Sequence, residues 1–454
     1  MHTKSISTIG KHWKMAVLFP VVLASAACGG ANDGASGETG GGGTAAPATA
    51  PTPPAEMKPV ELSVLDANGG LTQDSFMKSY GQYIQRKYPN ISFKVLEGGG
   101  AKVPEYAAAK AEVDLISSNM NGYGTATLYG YGGFDISALA KTHGFDLSRV
   151  NPAMLDGLKK MNGGKPPGLP MGVNYQVTFY NKDLFDKFGE KYPTDGMTWD
   201  QMYELARKMS RTDGGIRYGG LSIWGHERIF NVNQFGEELL DHTTGKALFN
   251  SSTSKLPRLF QQVVKFAEIP GNEFAINDPT AARDAFTKEG RMAMMIALRS
   301  QFNATPVAGT LDLVTYPTFP DLPGIGSAAE TSYYTISSTS KHAEEAFLAL
   351  TSLYDDQVQL EKVKAGNYPM IPVAGWEKLY YSESDVFKGK NINAFIQNKF
   401  PPAVIMDSEA SAVNTELYTA FRSVAKKETD MNTAMRAAEE RANKKVEEMR
   451  AAKK

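Results

Sequence analysis

The chain has 454 residues, with 48 lysines and arginines against 49 aspartates and glutamates, six histidines and one cysteine. A chain of this length can bury a large hydrophobic core, and a single cysteine excludes an internal disulfide. The formal net charge of −1 argues against a nucleic-acid partner, because binding to phosphates needs a basic surface.

Residues 1–27 have the layout of a secretory signal. Three lysines and no acid precede the apolar run Met15–Ala24, which is shorter than the roughly 20 residues that a membrane span needs. The small residues Ala24–Ala27 before Cys28 resemble the lipobox of bacterial lipoproteins, whose cysteine is acylated, although Ser25 stands where that motif usually has an aliphatic residue. We therefore predict a lipid anchor at Cys28, with an ordinary cleaved signal as the alternative.

Cleavage before Cys28 removes three of the 48 basic residues and no acid, so 45 basic residues face 49 acidic ones and the mature net charge is −4. Residues 29–56 have no aromatic or branched aliphatic side chain and are rich in glycine, alanine, proline and threonine. Such a composition cannot bury enough apolar surface to fold. We predict a disordered tether over 28–57, followed by a folded body over 58–454.

The folded body begins with alternating strand and helix patterns. Alternation over Val60–Leu65 and Ile91–Val95 predicts two strands, and the apolar spacing from Phe76 to Tyr88 predicts a helix between them that ends before Pro89. A third short strand is predicted over Val113–Ile116. This succession predicts an α/β fold with a mainly parallel sheet.

Ligands of such sheets bind in the loops beyond the carboxyl ends of the strands. Asn68 and Asn119 fall in these loops, with Asn121 close behind. The amide groups of these residues are candidates for ligand binding, although polar residues in turns often serve the turn alone.

The middle of the chain carries two further patterns. Residues Val173–Tyr180 read as one long strand, and Thr198 with Gln201 predicts a capping box at the start of a helix. Trp199 begins the apolar face of that helix, which continues to Met209, so we expect Trp199 to be structural.

Several motifs occur together in an order known from one family. They are Gly168–Phe185, Thr198–Met202, Phe286–Met294, Ile336–Lys341 and Asn367–Pro372. This order resembles the extracellular solute-binding proteins of ABC importers, the large family that includes maltose-binding protein and many sugar-binding lipoproteins. The similarity runs from about residue 60 to 450 and implies an α/β fold with two lobes, of the periplasmic binding protein-like II type, that close on a ligand about a hinge.

The resemblance also implies boundaries and partners. One lobe is expected over 58–172 and 298–335, the other over 178–296 and 345–410, with C-terminal helices over 411–450. It further implies a monomeric receptor, held by its lipid on the extracytoplasmic face of the cell membrane, that passes a sugar or oligosaccharide to a permease without a cofactor and without catalysis.

Sugar receptors combine aromatic planes with planar hydrogen-bonding groups. Trp224 lies where a Gly-bounded strand ends, and Trp376 follows a similar loop, so both are candidates for stacking on a sugar. Asn174 and Tyr175 fall on the strand that is expected to cross between the lobes, where maltose-binding protein has a carboxylate. Arg299 follows the expected second crossing and could bridge two hydroxyls or a carboxylate.

Other function classes are less well supported. The pairs Tyr333–Tyr334 and Tyr380–Tyr381 resemble those of related proteins that bind ferric iron, which favours phenolate oxygen. Polyamines and peptides are further non-sugar ligands. The histidines lack metal-ligand spacing, and phosphate-loop and nucleophile-elbow motifs are missing from the sequence, so an enzyme is expected only as a glycoside hydrolase with two unrecognised carboxylates.

Overall fold

The protein is described by a computed structural model that covers residues 58–225 and 228–452. The predicted signal, the lipidation site Cys28 and the tether lie outside these residues. The strands are β1 (Val60–Asp66), β2 (Ile91–Leu96), β3 (Leu115–Ser118), β4 (Gly168–Asn174), β5 (Gln176–Asn181), β6 (Arg211–Asp213), β7 (Ile216–Ile223), β8 (Leu240–Asp241), β9 (Lys246–Ala247), β10 (Met292–Leu298), β11 (Leu311–Val314) and β12 (Glu330–Ile336).

The α-helices of the described residues alternate with these strands. They are α1 (Gln73–Phe76), α2 (Gln82–Lys87), α3 (Val103–Ala108), α4 (Met120–Leu128), α5 (Ser137–Thr142), α6 (Pro152–Met161), α7 (Lys182–Phe188), α8 (Trp199–Met209), α9 (Arg228–Asn231), α10 (Leu256–Glu268), α11 (Glu273–Asn277), α12 (Pro279–Thr287), α13 (Ala343–Ser352), α14 (Asp356–Lys364), α15 (Trp376–Leu379), α16 (Ser408–Ala425) and α17 (Met431–Ala451). A π-helical turn over Met77–Gly81 joins α1 to α2.

Two five-stranded sheets organise the fold. The first has the order β2-β1-β3-β12-β4, with β1 parallel to β2 and β3, and β12 antiparallel to both neighbours. The second has the order β11-β5-β10-β7-β6, in which β10 is parallel to β7 and antiparallel to β5. We call each sheet, with the helices packed on it, the first lobe and the second lobe. The predicted α/β architecture with two lobes is confirmed.

The chain passes from the first sheet to the second at a single residue. Strand β4 ends at Asn174 and β5 begins at Gln176, so only Tyr175 separates strands that belong to different lobes. The sequence predicted one continuous strand here. The strand is split because its hydrogen-bonding partners change at Tyr175. The alternation of apolar residues continues through the crossing, and the sequence therefore predicted one strand.

Two segments differ in part from the lobe in which they were expected. The range 298–335 was expected in the first lobe, whereas β11 pairs with β5 in the second sheet, and the chain returns to the first sheet only at β12. The range 345–410 was expected in the second lobe; its helix α13 contacts α2 and β12 of the first lobe, whereas Lys390 and Asn391 hydrogen-bond to β11 of the second. The later segment is therefore divided between the two lobes, which sequence order alone did not indicate.

The C-terminal helices pack on the second lobe. Their buried residues, among them Val413, Leu417 and Met435, share one hydrophobic cluster with β7 and β10, and α16 also contacts α4 of the first lobe. Thr198 caps α8 with the predicted capping box, and Trp199 is buried, with its indole N–H donating to Gln234 at 2.7 Å. No helix of the described residues is long and apolar enough to cross a bilayer.

Candidate functional site

A cavity of about 420 Å³ lies between the two lobes. Its walls come from loops after β1 and β3, the start of β12, helix α9, the end of β10 and the segment before α16. The lining residues are Asn68, Asn119, Met120, Asn121, Asn174, Arg228, Asn231, Val232, Leu298, Ala328, Ala329, Glu330, Thr331, Ser332, Val404, Met406 and Ser411. Five of these are asparagines and three carry hydroxyl groups, so about half of the lining residues are amides or hydroxyls.

Two of the asparagines are fixed by hydrogen bonds at the ends of β1 and β3. The side-chain oxygen of Asn68 accepts from the backbone N–H of Asn119 at 2.9 Å, and Asn119 in turn caps α4 by accepting from Gly122 N–H at 2.9 Å. Gly122 allows this arrangement, because a Cβ there would lie 2.7 Å from the Asn68 oxygen. Asn68 and Asn119, predicted as candidates, both line the cavity and are held in position before a ligand arrives.

Asn174 is held at the crossing between the lobes. Its side-chain nitrogen donates to the hydroxyl of Ser300 at 2.7 Å, and its oxygen accepts from the backbone N–H of Tyr175 at 3.2 Å. Since Ser300 follows β10, this pair joins the first crossing strand to the end of a strand of the second lobe. Asn174 lines the cavity at its hinge side.

Two buried polar atoms in the wall have no hydrogen-bond partner among the described residues. They are the side-chain oxygen of Asn231, on the second lobe, and the hydroxyl of Thr331, on the first. Buried polar groups are usually paired, so unpaired ones in a cavity wall indicate a place where a polar ligand binds. A shift of strand register at Ser332 and Tyr333 adjoins this wall and re-aims the side chains at the start of β12.

The lobes are joined across the cavity by an ion pair. A guanidinium nitrogen of Arg228, on α9, lies 2.6 Å from a carboxylate oxygen of Glu330, on β12. The two side chains are 43% and 23% exposed, so solvent screens the pair. Among the described residues that line the cavity, Glu330 is the one carboxylate.

A second cavity of about 270 Å³ adjoins the first and shares Arg228 and Leu298 with it. Its other lining residues are Trp224, Gly225, Pro279, Thr280, Arg283 and Gln301. Trp224 is half-buried, and its ring contacts Phe302 edge-on at 5.8 Å between centroids. Trp224, predicted as a stacking residue, therefore lines a cavity on the second lobe that adjoins the one between the lobes.

Tyr175 lies in the interior and lines neither of these two cavities. Its side chain is 5% exposed, and its hydroxyl donates to the backbone carbonyl of Phe395 at 2.5 Å. Burial raises the pKa of Tyr175 well above its usual value, so the phenol stays protonated as a donor. The structure gives this residue a packing position behind the hinge.

Trp376 is also placed in the core. It is 9% exposed and packs against Tyr368 and Tyr380, with ring centroids 5.1 and 5.5 Å away. It lines neither cavity between the lobes. The loop setting that Trp376 shares with Trp224 in sequence thus leads to a different environment in the fold.

Arg299 is buried next to the hinge, with 6% of its surface exposed. Its guanidinium donates twice to the backbone carbonyl of Val173, at 3.1 and 2.9 Å, and also to the carbonyl of Gly366 and the hydroxyl of Tyr381. These acceptors belong to three separate segments of the chain. Arg299, predicted as a ligand contact, lines neither cavity and instead ties these segments together.

Both tyrosine pairs, suggested as iron ligands, are buried in the interior of the fold. Tyr333 and Tyr334 are neighbours on β12 and face opposite sides of the sheet, where Tyr334 packs on Tyr80. Burial raises the pKa of both phenols and also raises that of Tyr380 to about 12, so phenolate ligands are disfavoured. Among the described residues, no group of three or more histidine, cysteine, aspartate or glutamate side chains is placed to hold a metal ion.

Sequence reasoning missed four functional candidates in the walls: Arg228, Asn231, Glu330 and Arg283. Arg228 and Asn231 are three residues apart on α9, so they project from neighbouring positions of one helical turn directly after the loop of Trp224. That spacing was the available signal. Glu330 and Arg283 reach the site from distant parts of the chain, and no local pattern marked them.

Two α/β lobes joined by crossing strands, with a polar cavity between them, define the class of two-lobed ligand-binding proteins. The comparison with known families agrees with this architecture. Residues 68–360 match the family described as bacterial extracellular solute-binding protein, and the chain belongs to that family. The resemblance seen in the motifs is thereby confirmed.

Individual relatives are more distant. A mannitol-binding protein from Pseudomonas aeruginosa is 27% identical over 177 residues, which cover 36% of this chain and 39% of that protein. A sugar transporter from Rhizobium etli in an open conformation superposes with a TM-score of 0.66 at 19% identity, covering 85% of this chain and 99% of that one. A maltose/maltodextrin-binding domain from Bdellovibrio bacteriovorus bound to maltotriose superposes with a TM-score of 0.59 at 17% identity, covering 86% of this chain and 100% of that one. At these identities the solved structures show the shared fold.

Proposed function

We propose that this protein is a lipid-anchored receptor of an ABC importer that captures a sugar or oligosaccharide between its lobes and delivers it to a permease. The observation that carries the proposal is the convergence of five asparagines from both lobes and the hinge on one cavity. The amide oxygens of Asn68 and Asn119 accept from backbone N–H groups, which leaves their amide nitrogens as donors, and the buried oxygen of Asn231 is an unpaired acceptor; such planar donors and acceptors match the hydroxyl groups of a sugar. Trp224 in the adjoining cavity supplies an apolar face for the C–H side of a sugar ring.

The relatives support the same chemistry. The names of the similar proteins include mannitol-binding and maltodextrin-binding proteins, so polyols and saccharides are the ligands to test first. A hydrolase would need two carboxylates about the scissile bond, whereas Glu330 is the one carboxylate among the described lining residues and is paired with Arg228. A polyamine receptor would also need several acidic groups in the cavity.

The anchor is a separate part of the proposal. It rests on Cys28 and the small residues before it in the sequence. Mass spectrometry of the mature protein from its native host should show an acylated N-terminal cysteine at position 28. An unmodified N-terminus at another small residue would favour an ordinary cleaved signal and leave the binding function untouched.

A thermal-shift screen against monosaccharides, oligosaccharides and polyols tests the binding function. A ligand at 100 times its dissociation constant stabilises the folded state by about 2.7 kcal/mol, which raises the unfolding temperature measurably. If the protein responds to no member of the panel, the sugar proposal fails. Calorimetry on any hit then gives the affinity for the variants described next.

Two tryptophan variants form a matched pair. Trp224→Ala should weaken binding about three- to tenfold with little loss of stability, because the half-buried ring faces the cavity. Trp376→Ala should lower the stability by about 3–5 kcal/mol and leave the affinity of the folded protein unchanged, because that ring is in the core. The reverse outcome would show that the ligand binds near Trp376.

A further inference from the structure

The second cavity is cationic. Two guanidinium groups, from Arg228 and Arg283, line it, and no aspartate or glutamate is among its described lining residues. Arg228 is engaged by Glu330 across the boundary with the first cavity. Arg283 is therefore the residue whose charge faces the space next to Trp224 most directly.

The carboxylate beside Arg283 is shared with a second cation. One oxygen of Asp284 accepts from Arg283 Nε at 3.1 Å and lies 3.1 Å from Nη2, and its other oxygen accepts from Lys288 at 3.0 Å, which leaves Nη1 of Arg283 unused by Asp284. One carboxylate thus faces two positive charges, and the guanidinium of Arg283 keeps donors that are not used by Asp284. The Arg283 side chain is 40% exposed, and it lines the cavity, so an anion from solvent can reach it.

The cation lies beside an aromatic face. The central carbon of the Arg283 guanidinium is 5.9 Å from the centre of the Trp224 ring. Because the guanidinium lies over the Trp224 ring, a pyranose that packs against the free part of that ring would present a carboxylate on its C5 carbon to this guanidinium. The planar fork of arginine binds a carboxylate through two parallel hydrogen bonds, and Gln301 in the same wall offers a further donor.

We infer that the ligand is an acidic saccharide, with a uronate unit in the second cavity against Arg283 and Trp224 and a neighbouring unit among the asparagines of the first. This inference rests on the proposed sugar-binding function and names the substrate class for it. The two cavities adjoin, because Arg228 and Leu298 line both, and the inference places one unit of a disaccharide in each.

The test compares saccharides that differ only in the acidic group. Binding of digalacturonate and galactobiose, and of cellobiouronic acid and cellobiose, is measured by calorimetry at low salt. For at least one pair the acid should bind about tenfold or more tightly than its neutral counterpart, because hydrogen bonds to charged groups are stronger. The preference should shrink at high salt, since the arginine is partly exposed.

Three variants locate the preference. Arg283→Gln should bring the affinity for the acid close to that for the neutral sugar, and Arg283→Lys should keep part of the difference because it keeps the charge without the fork. Arg258→Gln is the matched control, because Arg258 also lies over an aromatic ring, that of Phe319, and also pairs with an acid, but does so away from both cavities. Arg258→Gln should prefer the acidic disaccharide over the neutral one to the same degree as the unmodified protein.

The outcomes separate the two proposals. Equal affinity within both pairs, or a preference that survives in Arg283→Gln, overturns the acidic-ligand inference while sugar binding stands. If none of the four disaccharides binds, and the monosaccharide, oligosaccharide and polyol panel is also silent, both proposals are overturned.

Discussion

Replacement of Arg299 by methionine tests the position that the structure gives this residue. The guanidinium is 6% exposed and donates to Val173, Gly366 and Tyr381, so it joins three segments at the hinge. A hydrogen bond from a charged group stabilises a fold by about 1.5–3 kcal/mol, and acceptors left buried and unpaired add to the loss. The variant also avoids the cost of burying a cation, which is several kcal/mol. The balance predicts a loss of about 2–4 kcal/mol in the free energy of unfolding.

Equilibrium urea unfolding and calorimetry on the same preparations give the two quantities needed. Arg299→Met should lower the urea midpoint, and the affinity of the folded protein should change little because Arg299 lines neither cavity. Arg299→Lys should recover only part of the stability, since one ammonium cannot reproduce the planar fork. An unchanged midpoint together with lost binding would refute the reasoning and return Arg299 to the ligand site.

Three further predictions concern stability and the preformed cavity. The carboxylate of Asp407, 3.3 Å from Nδ1, and that of Glu238, 3.9 Å from Nε2, raise the pKa of His242 to about 9 from 6.5, so its contribution to stability is complete below pH 6.5 and is lost as the pH rises through 9. The urea midpoint should fall over this range, and His242→Asn should remove that part of the pH dependence. If the urea midpoint of His242→Asn fell with pH as steeply as that of the unmodified protein, the ion pair of His242 with Asp407 would not contribute to stability. Gln234→Leu should cost about 2–4 kcal/mol in urea unfolding, because it leaves Trp199 Nε1 and the carbonyls of Pro317 and Ile325 without their partner; a loss below 1 kcal/mol would count against it. Gly122→Ala should weaken ligand binding in calorimetry by displacing Asn68, whereas Gly124→Ala, whose Cβ meets only ordinary contacts, should not; equal effects would contradict the close approach.

Part of the site could be predicted because it follows from general rules of α/β folds. Asn68 and Asn119 follow β1 and β3, and the rule that ligands bind beyond the carboxyl ends of strands identified both. The capping box at Thr198 and the burial of Trp199 depend on neighbours within one helical turn, so sequence spacing was sufficient. The fold class followed from the order of motifs along the chain.

The rest could not be predicted, because it depends on which residues meet in space. Tyr175 is the single residue between strands of different sheets, and alternation cannot say which way a side chain points where the partners change. Arg299 has the residue type of a ligand contact, yet three carbonyl and hydroxyl acceptors from remote segments enclose it. Arg228 and Glu330 are 102 residues apart and form a pair only because β12 returns to the first sheet.

The contacts between the lobes indicate what controls their closure. The pair of Arg228 and Glu330 is half-exposed, and such pairs stabilise by about 0.2–1 kcal/mol, which shifts a two-state equilibrium by at most about fivefold. A ligand that hydrogen-bonds to Asn68 on one lobe and Asn231 on the other makes both sets of contacts only when the lobes are close. Its differential affinity for the closed state therefore exceeds the contribution of the ion pair. In the proposed closure, the ligand, and not the ion pair, is expected to set the population of the closed form.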